Sequence, residues 1–127
     1  MISGIIEGFY GPPWSHDARL DFLDFLVEHG GNTYVWAAKL EPRHREKWAE
    51  AFTDSELHQF SELAQRHQQV QVLIGITPGS EATTKQLADK LRPAVERGCH
   101  GIVLSFDDLP VLNAATKHRD LANELIE

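Results

Sequence analysis

Two neighbouring carboxylates, Asp107 and Asp108, close the apolar run from Ile102 to Phe106. Like charges this close resist joint ionisation, so one carboxyl keeps its proton to higher pH while the other stays ionised. An acid and a base side by side are what cleavage of a glycosidic bond requires. Such a pair also serves as an N-cap or turn before a helix, and position and composition fit both uses. A second candidate segment, Glu7-Gly8-Phe9-Tyr10-Gly11-Pro12-Pro13-Trp14, follows the first apolar run. Gly8 lets a ligand come close to the backbone. Phe9, Tyr10 and Trp14 present faces that stack on the apolar side of a sugar ring, although aromatics that plug the end of a sheet have the same composition. Lys39, just past the second apolar run, is a single cation that suits either a ligand contact or an exposed surface.

Other chemistries find no support in the residue pattern. The seven histidines are scattered, with no HExxH and no closely spaced His/Cys set, so no metal centre is expected. His100 precedes Asp107 by seven residues, roughly 20 Å along an extended strand, which places it at the opposite end of the sheet from the carboxylates. No G-x-S-x-G, Walker loop or dinucleotide glycine fingerprint is present, and no cofactor is expected.

The elements that must position these residues alternate along the chain. Ile2 to Glu7, Thr33 to Trp36, Val70 to Ile76 and Ile102 to Phe106 read as strands, the last three with the near-continuous apolar character of buried parallel strands. A first helix runs from an N-cap at Ser15 to the stop at Gly30-Gly31, with Leu20, Leu23 and Val27 on one face and Phe22, Phe25 and Leu26 widening it. A second starts at Thr53, where Glu56 completes a capping box, and buries Leu57, Phe60 and Ala64; a short helical turn from Pro42 to Ala49 precedes it. A third spans Thr84 to Arg97 with Leu87, Leu91 and Val95 inward, and Pro93 should kink it or confine its regular part. A last helix carries Leu121, Ala122, Leu125 and Ile126.

The order βαβαβαβα predicts an α/β fold with a parallel sheet. Four such units in 127 residues amount to half of a (β/α)₈ (TIM) barrel, which takes about 250 residues, with the helices on the outside. The expectation is one (βα)₄ half-barrel domain over residues 1–127. In it the segments after each strand meet at one end of the sheet, where ligands of parallel α/β folds bind.

Composition narrows the partners. The formal charge of −7, from 12 basic and 19 acidic residues, argues against nucleic acid, whose binders neutralise phosphates with a basic patch. Arg43, His44, Arg45 and Lys47 are interrupted by Glu46 and flanked by Glu41 and Glu50, and read as a solvated helix face. No apolar run approaches the roughly 20 residues of a membrane span, so no membrane partner is expected. The first residues lack the n- and h-regions of a signal peptide, and the single Cys99 permits a reducing compartment, so the expected location is cytoplasmic.

The segment Ile5-Ile6-Glu7-Gly8-Phe9-Tyr10-Gly11-Pro12-Pro13-Trp14-Ser15 resembles the opening strand and loop of family 84 glycoside hydrolases, the O-GlcNAcase and β-N-acetylglucosaminidase group. The resemblance continues through Asn32-Thr33-Tyr34-Val35-Trp36-Ala37-Ala38-Lys39, His44-Arg45, Trp48, Thr77-Pro78-Gly79 and Phe106-Asp107-Asp108-Leu109, in order over nearly the whole chain. Where the family reads Lys-Asp-Asp, this chain reads Lys39-Leu40-Glu41. The resemblance implies a retaining hydrolase of terminal N-acetylglucosamine on glycans or glycoproteins, in which the substrate's own 2-acetamido oxygen attacks the anomeric carbon and forms an oxazoline. It further implies that Asp107 orients the acetamido group, that Asp108 protonates the leaving oxygen and then activates water, and that the Gly8 backbone and Lys39 hold sugar hydroxyls. The alternative, from a different class, is a non-catalytic sugar-binding or structural half-barrel. Open edges at the first and fourth strands, and uncovered barrel-facing side chains, predict a homodimer or docking with a C-terminal half-barrel.

Overall fold

Four strands line up in chain order in the computed structural model, which describes residues 1–106. Asp107, Asp108 and the last expected helix lie outside the described residues. The strands are β1 (Gly4–Glu7), β2 (Thr33–Trp36), β3 (Gln71–Ile76) and β4 (Gly101–Leu104), and the helices α1 (His16–Glu28), α2 (Asp54–Arg66) and α3 (Thr84–Glu96) lie between them. Every pairing is parallel, with Glu7 opposite Trp36, Trp36 opposite Ile74, and Ile76 opposite Leu104. Each strand adds beside the one before it, without the reversal that marks a doubly wound sheet, which is the strand order of half a barrel. Packing of α1 on α2 and of α2 on α3 lays the helices along the sheet as one layer.

Local signals set the helix ends. The Ser15 side chain accepts the Ala18 N–H, and Thr53 with Glu56 and Thr83 with Gln86 form full capping boxes. Gly30 and Gly98, both with positive φ, turn the chain out of α1 and α3 as the left-handed positions they occupy demand.

The core lies between helices and sheet. Tyr34, Trp36, Val72, Ile74 and Ile76 meet Leu23, Phe60, Leu63, Leu87 and Leu91 there, and Trp36 packs edge-on against Phe52 and Phe60 at 5.8 and 5.0 Å between ring centres.

Several boundaries and faces differ from the sequence expectations. Strand β1 begins at Gly4 rather than Ile2. An added Cβ at Gly4 would lie 1.7 Å from the Thr33 carbonyl oxygen, so the close approach of β1 to β2 starts there, while Ile2 stays exposed. Strand β4 ends at Leu104, although the Ser105 N–H still reaches the Ile76 carbonyl at 2.9 Å. The face of α1 is centred on Arg19, Leu23 and Leu26; Leu20, Phe22 and Val27 are half-buried at its margin, and Phe25 is exposed and stacked on the His29 ring. Residues 42–49 form successive turns instead of a regular helical turn, closed by Lys47 N–H to Pro42 O at 2.7 Å and Glu50 N–H to Lys47 O at 3.0 Å. Helix α3 runs through Pro93 to Glu96 and buries Ala94 and Lys90 while Val95 faces solvent. The Lys90 ammonium donates to the Glu50 carbonyl and sits 3.9 Å above the Phe52 ring, and burial brings its pKa down to about 8.

Candidate active site

The C-terminal ends of the strands gather three of the loops singled out by sequence. The β1 loop leaves Glu7, the β2 loop leaves Trp36, and the β3 loop leaves Ile76. The Lys39 N–H donates to the Phe9 carbonyl at 3.3 Å, which brings the β1 and β2 loops together with Gly8, Phe9 and Lys39 side by side in the chain path. The Thr77 N–H donates to the His44 carbonyl at 2.8 Å, which joins the β2 loop to the β3 loop. The end of β4, which leads into Asp107 and Asp108, is the fourth strand end of this row; the two aspartates themselves are outside the described residues.

The aromatics of the β1 loop divide by role. Trp14 is half-buried, 5.6 Å from the Phe9 ring and 5.1 Å from the Phe22 ring of α1, so it anchors the loop to that helix. Phe9 and Tyr10 are exposed, and Tyr10 lies under the Arg45 guanidinium, 5.5 Å from ring centre to cation, with Arg45 Nη1 donating to its hydroxyl at 3.1 Å. An added Cβ at Gly8 would lie 3.3 Å from an Ile6 methyl, a tight contact that the Ile6 side chain would have to relieve by a small shift. Lys39 is half-buried at the start of the turns that follow β2.

Beneath these loops lies a buried polar cluster absent from the sequence expectations. The Glu7 carboxylate, 0% exposed, accepts Arg19 Nε at 2.7 Å, Arg19 Nη2 at 2.8 Å, the Tyr34 hydroxyl, and the Trp14 backbone N–H at 3.2 Å. Arg19 Nη2 also reaches Glu41 Oε1 at 3.1 Å, and its guanidinium lies 5.8 Å from the Trp36 ring centre. Burial opposes the Arg19 charge, yet the hydrogen bonds it donates to Glu7 and Glu41 and the surrounding negative charge hold its pKa above the ordinary range. Burial, and then the Glu7 charge, push the Tyr34 phenol well up, so it remains a donor. The available clue was a charged residue, Arg19, at a helix position four before Leu23 on the apolar face, with a glutamate ending an apolar strand.

Removal of Glu7 leaves the buried Arg19 with only the more exposed Glu41 as counter-charge, and breaking a buried ion pair costs about 3–5 kcal/mol. Glu7→Ala should therefore lower the unfolding free energy of the full-length protein by that amount in urea denaturation. A loss below about 1 kcal/mol, the range of exposed pairs, would contradict the burial of this cluster.

His44 is a correction to the reading of its segment as a solvated face. It is fully buried, with Nδ1 2.7 Å from the Gly75 carbonyl and Nε2 3.1 Å from Thr77 Oγ1, so it fastens the β2 loop to the end of β3. Arg43 of the same segment pairs with Glu50 at 3.8 Å and with Glu56 at 3.6 Å. His100 sits at the far end of the sheet, where its Nδ1 accepts the Val72 N–H at 3.0 Å, a structural use remote from the loops. Among the described residues no group of three or more His, Cys, Asp or Glu side chains is arranged to hold a metal ion, and no helix is long and apolar enough to cross a membrane.

Comparison with known proteins adds to this geometry. The sequence model of the family described as beta-N-acetylglucosaminidase matches residues 3–126. Protein O-GlcNAcase of Rattus norvegicus and that of Mus musculus are each 32% identical over 117 residues, covering 86% of this chain and 13% of theirs. The solved structure of a Thermobaculum terrenum O-GlcNAc hydrolase variant superposes with a TM-score of 0.90 at 30% identity, covering 98% of this chain and 31% of that one. The chain thus spans about an eighth of the curated relatives and under a third of the solved one.

Proposed function

The chain belongs to the beta-N-acetylglucosaminidase family, and from that premise we propose that it carries the acid/base half of a retaining β-N-acetylglucosaminidase acting on terminal N-acetylglucosamine. The observation that carries the proposal is the bond between Lys39 N–H and the Phe9 carbonyl, which sets Gly8 and Lys39 together at the strand ends where ligands of this fold bind. In this reading the Gly8 backbone and the Lys39 ammonium hold sugar hydroxyls, and Phe9 and Tyr10 line the rim. Gly8 supports it because a residue without a side chain lets a ligand approach the backbone closely at this strand end. Asp107 steadies the 2-acetamido group through its N–H while the acetamido oxygen attacks the anomeric carbon. Asp108 gives its proton to the departing oxygen and, once the oxazoline has formed, takes a proton from the water that opens it.

The remaining contacts to the sugar come from outside residues 1–127, from a C-terminal half-barrel or a second copy. The outer edge of β1, which no described strand pairs, is one place such a partner would join.

A thiazoline analogue of the oxazoline tests the mechanism directly. Competition binding to the full-length protein should show it at least about 10²-fold tighter than free N-acetylglucosamine, because it mimics a species next to the transition state. Equal affinity would contradict substrate assistance, and tight sugar binding without any turnover would assign the chain to a binding module instead.

A further inference from the structure

The cluster under the loops does more than neutralise a buried charge. Glu7 ends β1, and its Oε2 accepts the Trp14 N–H at the far end of the β1 loop, so one carboxylate fixes both ends of that loop. Arg19 holds this carboxylate with two donors and reaches with Nη2 to Glu41, two residues past Lys39 in the β2 loop. An ion pair needed for folding alone is complete at Glu7. The extra reach to Glu41, a half-exposed acceptor, ties a second loop to the same cation, and a planar guanidinium spans two acceptors as an ammonium does not.

We infer that Arg19 is a positioning residue that fixes the separation of the β1 and β2 loops, and so sets how closely Gly8 and Lys39 grip a sugar. The inference rests on the reading of Gly8 and Lys39 as sugar contacts. Arg19 itself lies beneath the loops and acts through Glu7 and Glu41.

The test is to sever the Glu41 arm and leave the Arg19–Glu7 pair whole, in the full-length protein. Glu41→Gln keeps the shape with a weaker, neutral acceptor; Glu41→Ala removes the acceptor. The turn itself is closed by backbone bonds, Glu41 N–H to Ala38 O and His44 N–H to Glu41 O, which both variants retain. Contacts to sugar hydroxyls act on ground state and transition state alike. Glu41→Ala should therefore raise KM for an aryl N-acetyl-β-glucosaminide by about three- to tenfold with kcat little changed, and Glu41→Gln by less. Hydrogen exchange should quicken at 8–14 and 37–41 together while the amides of β2 and β3 keep their protection.

Unchanged KM with unchanged loop exchange in Glu41→Ala overturns the inference. So does exchange that quickens throughout the sheet, since that is the mark of a purely structural role. If the parent protein shows no turnover while Glu41→Ala loosens both loops, the loop coupling stands and the sugar reading fails.

Discussion

Asp108→Asn in the full-length protein should lower kcat/KM for an alkyl N-acetyl-β-glucosaminide by about 10²–10⁴-fold, the range a positioned general acid supplies. The same variant should lose far less on an aryl glycoside with an activated leaving group. A poor leaving group departs as an alkoxide unless it is protonated in the transition state, whereas an activated phenol departs without help. The carboxamide that replaces Asp108 keeps the size of the side chain and removes its transferable proton. With the activated substrate the first step should survive, and opening of the oxazoline by water should become slow, because the proposed mechanism uses Asp108 as the base as well. Such a variant accumulates its intermediate, so added azide, a nucleophile that needs no base, should restore turnover of the activated substrate. Equal losses on both substrates, with no azide rescue, would remove Asp108 from the acid/base role.

How much of this was legible in the sequence depends on how local each signal is. The caps at Ser15 and Thr53 were readable because an N-cap is decided within four residues of its own helix. The parallel order was readable because apolar β-branched runs and amphipathic runs alternate with short connections. The β1 loop stood out through its unusual concentration of glycine and aromatic residues around Gly8 to Trp14.

What stayed hidden depends on residues far apart in the chain. Helical periodicity marked the apolar face of α1 but not its centre, and the Glu7 and Glu41 carboxylates that hold Arg19 inside come from other loops and strands. His44 looked solvated among Arg43, Arg45 and Lys47 because its partners, the Gly75 carbonyl and Thr77, lie some thirty residues on. The packing of Trp14 on Phe22 of α1 was equally invisible, since the two rings meet only once the helix folds back on the loop. Lys90 repeated the same lesson on α3, where a carbonyl and an aromatic ring supplied by residues 50–52 let an ammonium lie inside.

If the substrate supplies its own nucleophile, as proposed, a matched pair of glycosides will show it. With the same activated aryl leaving group, one carries a 2-acetamido group and the other a 2-hydroxyl. The acetamido oxygen is held next to the anomeric carbon, and effective molarities of well-oriented neighbouring groups reach about 10⁵–10⁸ M, so its removal takes away the attacking atom and that advantage together. On the proposed mechanism, in which Asp107 steadies the acetamido N–H, that carboxylate would then have nothing to orient. The full-length protein should turn over the N-acetylglucosaminide readily and the glucoside not measurably. Comparable kcat/KM on the two would contradict it.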